Sequence, residues 1–154
     1  MKKSILVHNL NELNHLAETI AKTLKPGYIV GLKGTLGSGK TTFTQFLAKH
    51  MGITDNVNSP TFTILKIYKG PLPLYHMDVY RLEDIGYDYE LDDFIYGDGV
   101  AVIEWFPYIQ TMLPNDILAI TIEVLNESER LIHLEGSGIY EPTIKAVSNR
   151  YSDQ

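Results

Sequence analysis

Gly34-Thr35-Leu36-Gly37-Ser38-Gly39-Lys40-Thr41 reads G-x-x-x-x-G-K-T, the spacing of a phosphate-binding loop. Its flanks are those such a loop requires. Tyr28-Ile29-Val30-Gly31-Leu32 ahead of it is a short apolar run of strand type, and Phe43, Phe46, Leu47 and Met51 behind it recur at helical spacing. Glycines at 34, 37 and 39 allow a tight turn and a close approach of backbone to an anion. The N–H groups of the loop and of the helix start then form a positive concavity. Lys40 is placed to reach the β- and γ-phosphates of a nucleoside triphosphate, and the Thr41 hydroxyl to join a Mg²⁺ ion. The expected fold is α/β, a P-loop NTPase with a mixed, mostly parallel central sheet flanked by helices.

Outward from the loop, residues 4–8 read as a first strand and Asn9 as a helix N-cap, with Glu12 three positions on completing a capping-box pattern. The helix carries Leu13, Leu16, Ala17, Ile20, Ala21 and Leu24 on one face and stops at Lys25-Pro26-Gly27. After the loop and its helix, the runs Phe62 to Tyr68 and Leu74 to Tyr80 predict a hairpin about Gly70 and Pro71, hence a mixed sheet. The stretch 81–99 is acidic and aromatic without a lysine, and reads as one or two short helices with a solvated face. Val100 to Ile103 is a buried strand ending at Glu104-Trp105, and a short helical piece covers Phe106 to Leu113. Ile117 to Val124 and Arg130 to Glu135 form a last strand pair, and the tail beyond Gly136 is weakly patterned.

The 154 residues suit one domain with a proper core. No apolar run approaches the ~20 residues of a membrane span, and the start of the chain has no signal-peptide pattern, which points to the cytoplasm. There is no cysteine for disulfides or thiolate metal sites. The net charge is −6, and Arg81, Arg130 and Arg150 are the chain's arginines, so autonomous gripping of nucleic acid is not expected.

A phosphate loop needs a second acidic group for the metal, usually at the end of a neighbouring strand. Asp78 and Glu104 both close apolar runs, where a carboxylate is costly unless paired or metal-facing. Asp78 is assigned to Mg²⁺, and Glu104 to the attacking water or the metal shell, with the two roles exchangeable. Ser59-Pro60-Thr61-Phe62-Thr63 stands where a γ-phosphate-sensing switch loop belongs, or is an ordinary turn into a strand. Trp105 reads as core, or as a surface for a base or a partner. No histidine has ligand-like spacing and none is assigned to catalysis, although His76 alternates with Asp78 on one strand face.

No N-K-x-D or D-x-x-G element marks a GTPase. The few arginines argue against a kinase that clamps a transferred phosphate, although a small-molecule or nucleoside phosphotransferase remains the alternative. Gly34-x-Leu36-Gly37-x-Gly39-Lys40-Thr41-Thr42, Ser59-Pro60-Thr61-Phe62, His76-x-Asp78-x-Tyr80-Arg81 and Glu104-Trp105 follow one another in this order. Together, over roughly residues 28 to 124, they resemble the TsaE (YjeE-type) family of P-loop ATPases in tRNA threonylcarbamoyladenosine (t6A) biosynthesis. The resemblance implies ATP and Mg²⁺ as cofactors and the TsaB–TsaD complex as partner, with tRNA held through those partners. TsaD would transfer the threonylcarbamoyl group, and ATP hydrolysis by this chain would reset the complex. Residue by residue, Gly34, Leu36, Gly37, Ser38, Gly39, Lys40, Thr41 and Thr42 would bind the nucleotide, with Trp105 beside it. Thr41 and Asp78 would hold the metal, Thr61 would belong to the switch, and Glu104 would support hydrolysis. The family often has an acidic residue where this chain has Thr35, and alanine where it has Ser38.

Overall fold

The computed structural model describes residues 1–60 and 63–151. Its strands are β1 (Lys2–Val7), β2 (Ile29–Lys33), β3 (Leu65–Tyr68), β4 (Leu74–Asp78), β5 (Val100–Glu104), β6 (Leu118–Val124) and β7 (Arg130–Glu135). They form one seven-stranded sheet in the order β1-β7-β6-β2-β5-β4-β3. The β6, β2, β5 and β4 strands pair in parallel, while β7 and β3 run against their neighbours, so the expected mixed, mostly parallel sheet is what forms. The β3–β4 and β6–β7 hairpins are both present, Tyr68 facing Leu74 and Val124 facing Arg130.

Helices α1 (Leu10–Ala21), α2 (Lys40–His50) and α5 (Glu141–Arg150) cover one face, and α3 (Leu82–Ile85), α4 (Asp92–Ile95) and the 3₁₀ segment Phe106–Met112 cover the other. Every residue of β5 is buried, as a strand covered on both faces requires. Its Val100 and Val102 pack with Phe43 and Leu47 of α2, whereas Ala101 and Ile103 join Met77 and Phe106 on the opposite side. No helix among the described residues is long and apolar enough to cross a membrane.

The start of α1 follows its sequence signature with one change. Glu12 N–H donates to Asn9 Oδ1 at 2.9 Å, the N-cap bond. The returning Glu12 carboxylate accepts from His8 N at 3.1 Å, one residue earlier than a capping box places it. The helix also ends at Ala21, so Leu24 reaches the core from the following turn.

The tail departs most from expectation. Residues 141–150 are helical, with Pro142 in the first turn and Thr143, Ile144 and Val147 buried. Tyr140 fastens this helix to the start of β2: its hydroxyl accepts from Ile29 N at 2.9 Å, and Tyr28 donates to Ile139 O at 2.8 Å. A narrow apolar stripe in an otherwise polar decapeptide gives little periodic signal, so the helix depends on these tertiary contacts.

Candidate functional site

Parallel pairing brings the carboxyl ends of β2, β5 and β4 to one edge of the sheet, Leu32 facing Glu104 and Glu104 facing Asp78. The loop 34–39 leaves β2 at this edge and enters α2. Side chains alternate along a strand, so His76, Asp78 and Glu104 all stand on the α2 side.

Local chemistry shapes the loop. Gly39 caps α2 at φ 110° with no side-chain acceptor, which leaves the first N–H groups of the helix directed into the cleft. At Gly34, a Cβ would lie 2.7 Å from Ser38 Oγ and 2.8 Å from Ile122 O. Lys40 is buried, and its ammonium donates to Gly34 O at 2.7 Å and Thr35 O at 3.1 Å. It also lies 4.3 Å from the centre of the Trp105 ring. Burial lowers the Lys40 pKa, and the Glu104 and Asp78 charges oppose that shift.

Glu104 is buried, and two side chains meet one of its oxygens. His76 Nε2 lies 2.6 Å from Oε2, and Thr41 Oγ1 donates to the same atom at 3.4 Å. Asp78 accepts from Tyr80 N at 3.0 Å. Its pKa is raised, first by burial and then by the neighbouring Glu104 charge, against the lowering effect of the Tyr80 bond. Glycines 37 and 39 with Lys40, Thr41, Thr42, Ser59, Leu36, Asp78, Glu104 and Trp105 enclose a cleft of about 320 Å³.

Some expectations need correction. Trp105 is not simply core: it adopts φ 63°, and its ring meets Tyr80 edge-on at 5.0 Å and stacks on Tyr108 at 5.9 Å, over Lys40. A bulky residue in the left-handed region is rare and recurs at functional sites. The Ser38 hydroxyl is buried, with no hydrogen-bond partner among the described residues. Thr61, expected in the switch, lies outside the described residues. His76, to which the sequence assigned nothing, stands against Glu104; its alternation with Asp78 was the available signal. Arg130 is a second residue without a sequence signal. Its Nε donates to Ser38 O at 3.0 Å and its Nη1 to Asn126 O at 2.6 Å, tying the loop to the β6–β7 turn.

A sequence model of the family described as threonylcarbamoyl adenosine biosynthesis protein TsaE matches residues 7–132. The chain belongs to the TsaE family. The tRNA threonylcarbamoyladenosine biosynthesis protein TsaE of Bacillus subtilis (strain 168) is 46% identical over 144 residues, 93% of this chain and 85% of that protein. Its counterpart from Treponema pallidum (strain Nichols) is 42% identical over 115 residues, 73% of this chain and 85% of the relative. The crystal structure of Bacillus subtilis YdiB is similar with a TM-score of 0.84 at 38% identity, covering 97% of this chain and 96% of that one. The TsaE match takes in the glycine loop, both carboxylates and Trp105, and ends before α5.

Two expected results concern the TsaE site alone. Ser38→Ala removes an orphaned buried hydroxyl and should raise stability by up to about 1 kcal/mol, read from denaturant midpoints, with the loop unchanged. Asp78→Asn should raise the thermal midpoint in EDTA at neutral pH. The folded state holds the Asp78 proton more tightly than the unfolded chain does. The carboxylate's cost is therefore present in full above its folded pKa and fades as pH falls towards the ordinary aspartate value of ~3.9. The gain from Asp78→Asn shrinks over that same window, and a gain that grew on acidification would contradict it.

Proposed function

We propose that this chain is a Mg²⁺-dependent ATPase of t6A biosynthesis that resets the TsaB–TsaD complex between cycles and does not itself transfer the threonylcarbamoyl group. The observation that carries this reading is the convergence at one sheet edge of an uncapped helix start, a buried lysine, a hydroxyl and two carboxylates. Each supplies one element of phosphoryl transfer to water.

The loop N–H groups and Lys40 bind and orient the β- and γ-phosphates, the lysine exchanging its contacts with Gly34 O and Thr35 O for phosphate oxygens. Thr41 and Asp78 would hold the magnesium, with Glu104 beside them. This donor set, a hydroxyl and carboxylates, is all oxygen. That suits an ion which keeps several waters and takes further ligands from phosphates. Magnesium held there would supply positive charge to offset that of the phosphates. Glu104 orients the attacking water. The water oxygen bonds to the γ-phosphorus as the bridging P–O bond breaks and its electron pair leaves on ADP. The water proton passes to Glu104 and on to the released phosphate.

A second cleft of about 590 Å³ lies behind the loop, between the start of α1 and the β6–β7 turn. Val7, Leu10 and Leu13 give it an apolar wall, and Thr42 and Arg130 stand at its loop side. It is the place for adenosine in this reading. The acidic charge of the chain leaves tRNA to the basic surfaces of partners.

Reconstitution tests the reading. Purified TsaB–TsaD of a related bacterium, an activated threonylcarbamoyl donor and an ANN-reading tRNA are incubated with this chain and ATP, and t6A is counted by mass spectrometry. More than one t6A per complex is expected only with the chain and ATP together, and not with Lys40→Ala. Equal yields without the chain, or an ATP-dependent phosphorylated small molecule as the product, would overturn it.

A further inference from the structure

His76 is fully buried in β4, facing Val102 across the parallel ladder and lying one step below Asp78 on the same face. Its Nε2 stands 2.6 Å from Glu104 Oε2, while its Nδ1 is buried with no hydrogen-bond partner among the described residues. A buried imidazole with one orphaned nitrogen is costly beside an apolar residue of the same volume. The Glu104 bond is the contact that offsets this cost. That distance and the unpartnered Nδ1 together favour one tautomer. A hydrogen on Nδ1 would be a buried donor with nothing to meet, and would set the bare Nε2 lone pair against a carboxylate oxygen. A hydrogen on Nε2 is satisfied at once.

We infer that His76 is the positioning residue of Glu104: as the Nε2–H tautomer it anchors Oε2 from beneath and thereby turns Oε1 towards the cleft. Thr41 Oγ1 also donates to Oε2, so both protein donors occupy the same oxygen and the other is kept for the attacking water. The inference rests on the ATPase reading for the use of Oε1, and on the fold alone for the anchoring bond. It also separates the two carboxylates. Glu104 is held from inside the sheet by an imidazole, whereas Asp78 accepts from the backbone N–H of Tyr80 at the strand end and is the metal-side group.

Two measurements test it. Ring-¹⁵N spectra of the nucleotide-free protein should show His76 as the Nε2–H tautomer, its Nε2 proton shifting in Glu104→Gln. A hydrogen on Nδ1 would overturn the anchoring bond whatever the activity. In steady-state hydrolysis with TsaB–TsaD, His76→Leu should lower kcat by roughly 10–100-fold with the ATP KM changed less than about threefold. His76→Gln, which retains an N–H donor, should recover most of that loss. In the Glu104→Gln background His76→Leu should cost nothing further, because its effect passes through the carboxylate. An undiminished loss in that background, or no rescue by glutamine, would contradict the role. A wild-type protein that never turns over ATP would defeat the ATPase reading, and the ring spectrum would still decide the bond.

Discussion

Lys40→Ala should weaken ATP binding by about 2 kcal/mol or more and lower turnover by about 10²–10³-fold. The surroundings of the Lys40 ammonium set this expectation. The ammonium is buried beside two carboxylates, stands over the Trp105 ring, and is anchored to the carbonyls of Gly34 and Thr35. Without it, incoming phosphates would meet Asp78 and Glu104 with only the loop N–H groups to offset their charge. Loss of ATP binding is expected to exceed any change in the nucleotide-free thermal midpoint, since burial already opposes the lysine charge in the free protein. That separates lost function from lost folding. Titration calorimetry with ATP and magnesium, paired with a melting curve, reads both. Wild-type affinity in Lys40→Ala would remove the loop from the account.

Glu104→Gln should behave differently, with turnover falling by about 10²–10⁴-fold and ATP affinity held within a few-fold. Glutamine keeps the side-chain length, and its carbonyl oxygen can still accept the bonds from His76 and Thr41. Only the charge that we propose orients and deprotonates water is lost. The contrast with Lys40→Ala matters because the two groups share one cleft: one variant loses binding, the other the chemical step. If Glu104→Gln still supported repeated t6A synthesis while hydrolysing nothing, ATP would act by binding alone.

Features set by neighbouring residues were legible before any coordinates. The loop 34–41 between an apolar strand and a helical pattern placed β2 and α2, and alternating runs placed both hairpins. Asp78 and Glu104 were candidates because each ended an apolar strand run, and the register then set them side by side. Long-range contacts were not legible. The His76–Glu104 bond spans 28 positions and Arg130–Ser38 spans 92, each depending on which strands become neighbours. The α5 helix was missed because its order comes from Tyr140 against β2 rather than from its own composition. Trp105 was divided between core and surface because a residue after a buried strand can turn either way. Its φ of 63° sends the ring over Lys40.

What we propose for this site is hydrolysis of ATP in the service of a partner complex. It is met most directly by measuring phosphate release from ATP and magnesium by the purified protein, alone and with TsaB–TsaD, with Lys40→Ala as control. The account predicts slow release alone, clear stimulation by the complex, and loss of both in the variant. Confirmed ATP binding with a rate that the complex leaves unchanged would contradict it.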